Sequence, residues 1–273
     1  MEKVELRESQ KISLEILNII SNICDEKGLR YSLIYGTLIG AVRHKGFIPW
    51  DDDVDIMMPR PDYEILLNYL EEKKDIYPNL EVFNPNTNKD YPYMITRISD
   101  NRYIIDTENE KDCGMGVFID IYPYDGLGNT NEEALKYGLK GDRLSSLCFL
   151  ATREQYRWEK LNSTIKNVVK APLYLFAKCI GKEYFQRKLQ ALGNVKPYDE
   201  SEYIGCVVWL SGGDKDIFKR EWFDELITVP YEEYSFKIPK AYDEVLSKTY
   251  GDYMKLPPEE ERIGHHFYKV YKK

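Results

Sequence analysis

The sequence predicts an α/β chain: a mixed-sheet core interrupted by a helical insertion. Three observations carry this. Short β-forming runs alternate with helical stretches over residues 1–130. The β signals vanish over 131–202, where helical periodicity takes over, and return over 203–273. Charge follows nearly the same boundaries. From Lys136 to Lys196 there are 13 Lys and Arg against four acids, an excess of nine, which leaves −17 for the rest of a chain whose net charge is −8. A basic insertion in an acidic α/β core gives this pattern, and two separate domains would give it too.

The elements follow in order. Residues 5–27 read as a helix with Ile12, Ile16, Ile19, Ile20 and Ile23 on one face and Gly28 to end it. Residues 30–35 (RYSLIY) read as a strand, Gly36-Thr37 as a break, 38–43 as a short helix and 44–50 (HKGFIPW) as a loop. Val54 to Met58 reads as a strand, and Pro61 starts a helix to about Lys73. Strands are expected at 80–83, 93–98 and 102–107, the last two joined by a tight turn at Ser99-Asp100-Asn101. Residues 116–122 (GVFIDIY) are another strand, closed by Pro123. The helical block should break near Pro172 and Gly181. Strand signals return over 203–239, and Ala241 to Tyr250 forms a last helix, ended by Gly251.

Composition removes several classes. With 273 residues, 43% apolar and 31% charged, the chain has room for a sizeable core and is neither disordered nor collagen-like. Its net charge of −8 excludes a nucleic-acid coat. The five cysteines form no CxxC pair and are odd in number, which disfavours zinc and disulfides and fits a reducing, cytoplasmic compartment. The N-terminus has no apolar signal-peptide core, and no run of apolar residues is long enough to span a membrane. The 23 tyrosines suit sugar or nucleotide contacts, although most tyrosines simply pack.

The sharpest local signal is Trp50-Asp51-Asp52-Asp53-Val54-Asp55-Ile56. On a strand, Asp51, Asp53 and Asp55 project to one side, and Asp52, Val54 and Ile56 to the other. Clustered carboxylates need protons or a cation to be tolerable, and oxygen-only ligands favour Mg²⁺ or Mn²⁺ over zinc. Three other readings compete: a solvated acidic strand end, a helical DDxxD prenyl-transfer site, and a glycosyltransferase DxD. Pro49 and the β-formers that follow argue against the helical one. The upstream residues decide. Strand, Gly36-Thr37, helix, loop and then Asp53-x-Asp55 is the layout of the nucleotidyltransferase fold, in which a small-residue turn opens a helix toward phosphate. Such sites recruit a third carboxylate from a neighbouring strand, and Asp120 in GVFIDIY is the best candidate.

The run YGTLIGAVRHKGFIPWDDDVDIMMPRPDYE resembles the signature of the LicD family, which includes bacterial phosphocholine transferases and is related to the fukutin and fukutin-related proteins. GVFIDIYPYDGL resembles its second motif, and Trp222-Phe223, IPKAYDEVL and YGDYMKLPP with Arg262, His265 and His266 resemble its C-terminal motif. The similarity covers about 27–128 and 203–268; the helical block matches no motif, and the cysteine-based zinc motif of fukutin-related proteins is missing. The resemblance implies transfer of a phospho-alcohol, with phosphocholine the best-known group, from a CDP-alcohol such as CDP-choline. The acceptor would be a sugar hydroxyl of a surface glycan or its lipid-linked precursor (teichoic acid, lipopolysaccharide or capsule), and CMP would leave. Asp53, Asp55 and Asp120 map onto the catalytic acids, and with Asp51 would hold two Mg²⁺ (or Mn²⁺) ions for in-line displacement, Asp120 also taking the acceptor's proton. Gly36, Thr37, Arg43, His44, Lys45, Arg262, His265 and His266 fall at donor phosphate or nucleotide positions.

Two alternatives stay open. A cytidylyltransferase would use the same acids to make a CDP-alcohol and release pyrophosphate, and a non-catalytic module would keep the fold without turnover. The basic insertion gives a further expectation. The segment from Pro172 interleaves apolar residues with Lys178, Lys182, Arg187 and Lys188, a pattern suited to peripheral contact at the inner face of a membrane. The competing reading, an ordinary helical subdomain with its apolar face on the core, is favoured.

Overall fold

The computed structural model describes residues 1–107, 110–156, 164–193, 196–209, 213–264 and 268–273. The chain runs β1 (Glu2–Val4), α1 (Leu6–Lys27), β2 (Ser32–Leu33), α2 (Tyr35–Ile39), β3 (Asp55–Pro59), α3 (Arg60–Glu72), β4 (Leu80–Phe83), β5 (Thr96–Asp100), β6 (Tyr103–Thr107) and β7 (Val117–Gly128). Then come α4 (Asn131–Thr152), α5 (Thr164–Ile180), α6 (Lys182–Gly193), β8 (Tyr203–Gly205), β9 (Phe218–Lys219), β10 (Leu226–Tyr231), β11 (Tyr234–Pro239), α7 (Tyr242–Tyr250) and β12 (Tyr268–Lys272). The fold is α/β with a mixed sheet, as the sequence predicts. The main sheet has the order β2-β3-β7-β5-β4, with β8 and β9 joined at the far end of β7. Only β3 and β7 pair in parallel within it.

α1 buries Ile12, Ile16, Ile20 and Ile23 against the sheet, and each such side chain contributes roughly 1.5–3 kcal/mol. It ends at Gly28, whose φ of 67° lets the amides of Gly28 and Leu29 return to Asp25 and Cys24. α4 opens with the Thr130 side chain accepting from the Glu133 amide and packs against α5 and α6. A small second core of Leu127, Ala134, Leu192, Val207 and Ile217 joins this helical insertion to the end of β7.

Several elements differ from their expected form. β7 does not stop at Pro123 but continues to Gly128. The Asp120 amide donates to Val54, so even-numbered amides face β3 and the nitrogen of Pro123 faces the other edge. There β5 has ended opposite Ile121 and β8 begins only at Asp125, so no partner strand misses an N–H. The strands around Ser99-Asp100-Asn101 form no hairpin: β5 pairs with β4 and β7, while β6 joins β12 and β1 in a separate three-stranded sheet. Gly36-Thr37 is no break, because α2 begins at Tyr35 and continues into a π-helical turn, Gly40–His44. Pro172 lies inside α5, whereas Gly181 does separate α5 from α6.

Candidate active site

The parallel register of β3 and β7 places Asp55 opposite Asp120, and the antiparallel register of β7 and β5 places Asp120 opposite Arg97. Registered partners on adjacent strands point to the same face, so acid, acid and guanidinium form one row across three strands. Arg97 Nε lies 2.7 Å from Asp120 Oδ1, with both side chains buried. The guanidinium sits 4.1 Å from the Tyr93 ring centroid and 3.9 Å from that of Phe118. Asp53 completes the group: Asp53, Asp55 and Asp120 each bring a carboxylate oxygen to within 4.8 Å of the others.

Asp55 is the most constrained member. Burial first, and then the charges of Asp53, Asp120 and Asp51, push its carboxyl well above the usual carboxylate range, against a hydrogen bond from Tyr122. Its Oδ1 is buried and has no hydrogen-bond partner. An orphaned buried oxygen among clustered carboxylates fits a hard divalent cation with oxygen ligands. The residues that would hold it are Asp53, Asp55 and Asp120, with Asp51 beside them.

Local structure explains how the acids are packed so closely. β3 starts only at Asp55, so Asp51 to Asp53 lie in the preceding loop and do not follow strict strand alternation. Asp52, expected on the opposite side, brings a carboxylate oxygen within 4.8 Å of those of Asp51 and Asp53, while its carbonyl accepts from Tyr268. The Gln10 side chain holds the Asp51 carbonyl at 2.8 Å. A Cβ at Gly36 would stand 2.8 Å from Asp51 Oδ2, so a side chain there would displace that carboxylate. The Thr37 hydroxyl accepts the Asp55 amide at 2.8 Å and is buried, so it positions the strand start. Tyr35 has a φ of 52°, uncommon for a bulky residue, and packs edge-on against Tyr122 at 5.1 Å.

A cavity of about 740 Å³ opens over these acids. Gly36, Arg43, Asp51, Asp53 and Asp55 form one side. The other comes from the C-terminal part, including Trp209, Lys215, Asp216, Tyr250 and Tyr253. Asp216 is buried. Tyr250 is 46% exposed, but its hydroxyl is desolvated at the cavity wall and feels the charges of Asp55, Asp216, Asp51 and Asp53, which raise its pKa. Arg43 Nη1 donates to the Tyr253 carbonyl at 2.6 Å, tying the two sides together. Burial lowers the Arg43 pKa.

The remaining candidates are dispersed. Asp120 sits behind Asp55 and does not line the cavity. His44 stands edge-on to Trp50 at 6.4 Å, its pKa lowered by burial and by Arg43. The Lys45 side chain is exposed, and its carbonyl accepts the Glu232 amide. Neither His44 nor Lys45 lines the cavity. Arg262 donates to the Pro257 carbonyl and lies 5.7 Å from the Trp50 ring, but does not line the cavity. His265 and His266 fall outside the described residues. Arg97, Asp216, Tyr250 and Trp209 were not anticipated. The YGDYMKLPP run was a signal for Tyr250, and an arginine inside the β-forming run YMITRI was one for Arg97; Asp216 had none.

Comparison with known proteins gives a family and two relatives. The family described as "LicD/FKTN/FKRP, nucleotidyltransferase domain" matches residues 28–141, which contain the acids and Arg97. The chain is 35% identical over 275 residues, 99% of each chain, to the lipopolysaccharide cholinephosphotransferase LicD of Haemophilus influenzae. It is also 29% identical over 126 residues to an uncharacterized protein of Rickettsia typhi, covering 46% of this chain and 38% of that one.

Proposed function

The chain belongs to the LicD family, and from that premise we propose that it transfers phosphocholine from CDP-choline to a sugar hydroxyl of a surface glycan, releasing CMP. The observation that carries this is the partnerless buried oxygen of Asp55, in register with Asp120 at the floor of a cavity large enough for a nucleotide donor. Divalent ions, Mg²⁺ or Mn²⁺ and two in number, would be held by Asp53, Asp55, Asp120 and Asp51, neutralising the donor's pyrophosphate and stabilising the charge on its leaving oxygen.

The chain's own groups do the rest. The acceptor oxygen attacks the phosphorus that carries choline; the bond from that phosphorus to the bridging oxygen breaks, and CMP leaves with that oxygen. The hydroxyl proton passes to a carboxylate of the cavity wall, Asp51 or Asp53. Arg43 binds donor phosphate through its guanidinium. Asp120, covered by Arg97 and off the wall, would hold an ion together with Asp53 and Asp55 without meeting the acceptor. The same cavity is lined by Tyr35, Trp209 and Tyr250 and by the buried Asp216. Aromatic faces beside a carboxylate suit a quaternary ammonium, which favours choline over the uncharged glycerol and ribitol.

Product analysis tests the proposal. The protein is incubated with Mg²⁺, a glycan acceptor and CDP-choline, CDP-ethanolamine, CDP-glycerol or CDP-ribitol in turn. A parallel mixture contains CTP and phosphocholine. CMP formed fastest from CDP-choline supports the proposal. Pyrophosphate from CTP instead would make the protein a cytidylyltransferase, and no product from any mixture would leave a binding module.

A further inference from the structure

The helical insertion turns apolar side chains outward. In the described part of α5, Ala177 is buried and Tyr174 half-buried, and these mark the side that meets the rest of the molecule. At 100° per residue, Leu175, Phe176, Ile180 and Leu173 occupy an arc of roughly 160° on the opposite side. They are 63%, 52%, 44% and 42% exposed, and Tyr184 at the start of α6 is exposed with them. In the described part of α5 the apolar side therefore does not pack on the core, contrary to the reading favoured from sequence. A group of large apolar side chains left in water at adjacent helical positions marks an interaction surface.

The charges beside this arc are mostly positive. Lys178, about 60° from Leu175 on α5, and Arg187 and Lys188 on α6 are exposed, against one exposed acid, Glu183. The segment from Lys136 to Lys196 carries nine more positive than negative charges within a chain of net −8. Among the described residues no helix is long and apolar enough to cross a membrane. We propose that α5 and the start of α6 form a docking surface for an anionic lipid bilayer, with Leu173, Leu175, Phe176 and Ile180 entering the headgroup–acyl boundary and the flanking Lys and Arg meeting lipid phosphates. A second copy of the chain is the weaker occupant, because it would bring a like-charged segment against this one. Docking would hold the cavity near acceptors made on lipid carriers, but it does not depend on which donor the cavity takes.

The test is co-sedimentation of the full chain with vesicles of phosphatidylcholine alone or of phosphatidylcholine mixed with phosphatidylglycerol, at low and high salt. The expected result is pelleting with the anionic vesicles at low salt, diminished by high salt. The exposed double variant Leu175→Gln/Phe176→Gln should partition at least about tenfold more weakly, since insertion of apolar side chains supplies much of such binding. Its circular dichroism and its melting temperature should stay unchanged. No pelleting of the wild type with anionic vesicles at low salt would overturn the proposal. So would equal pelleting of wild type and double variant, or a concentration-dependent dimer that the double variant abolishes in the absence of lipid binding.

Discussion

Asp51, Asp53 and Asp55 reach the cavity from five consecutive positions, whereas Trp209, Lys215, Asp216 and Tyr250 reach it from three separate places beyond the helical insertion. The first side is a concentrated charge, held by one loop and one strand start. The second is aromatic, with a single buried carboxylate, and exists only once the C-terminal part has folded back. The division matches two different tasks. Under the proposed function, a pyrophosphate donor would need the acidic side, and the group to be transferred would be selected on the other. Substitutions on the acidic side should therefore abolish turnover of every donor, and substitutions opposite should change the order of preference.

The largest effect is expected from Asp53→Asn or Asp55→Asn, each lowering turnover of all donors by at least about 10³-fold, the scale of losing a strong electrostatic element. Steady-state assays across the donor panel check this; near-native turnover of either variant under saturating Mg²⁺ would remove that acid from the site. Asp55→Asn should also raise the melting temperature in EDTA. Its carboxyl is pushed up by burial and by its neighbours, so the native state binds more protons than the unfolded one. The metal-free wild type should therefore lose stability as pH rises from the ordinary carboxylate range toward the raised value, and the variant should lose less.

Arg97→Met should come next. It leaves Asp120 buried without its partner and should cost about 3–5 kcal/mol of stability by urea denaturation. Adding Asp120→Asn should restore part of that loss, because both charges are then gone. If Arg97→Met is as stable as the wild type, the row across the three strands is not a coupled unit.

A smaller effect separates the two sides directly. Asp216→Asn should weaken use of CDP-choline by roughly tenfold, about 1.4 kcal/mol, and leave CDP-glycerol nearly unchanged. Equal losses for both donors would return Asp216 to a structural role. The smallest effect is expected from Arg43→Ala, which should reduce the thermal shift caused by CMP with Mg²⁺ by a few degrees at most while the protein stays folded. An unchanged shift would confine Arg43 to tying down the Tyr253 carbonyl.

The same contrast explains what the sequence revealed. The acids and Gly36 were legible because spacing along a single segment carries them, and Asp120 because it interrupts an apolar strand. Arg97 was not, since its place beside Asp120 arises only from the register of β5 on β7. β1 and β12 were missed because they are three and five residues long and find each other across nearly the whole chain. The hairpin expected around Asp100 failed because turn chemistry does not say which sheet each strand will join. Periodicity likewise showed that α5 has an apolar side but not that this side faces outward.

Asp53, Asp55 and Asp120 are proposed to form a cation site that admits a pyrophosphate donor. Titration of Mn²⁺ into the metal-free protein with CDP-choline present, followed by electron paramagnetic resonance, tests it most directly. The wild type should bind Mn²⁺ more tightly with CDP-choline than without it, and Asp53→Asn should lose most of that binding while remaining folded. Wild-type protein that binds no Mn²⁺ in the presence of CDP-choline, or Asp53→Asn that binds it as tightly as the wild type, would contradict the claim.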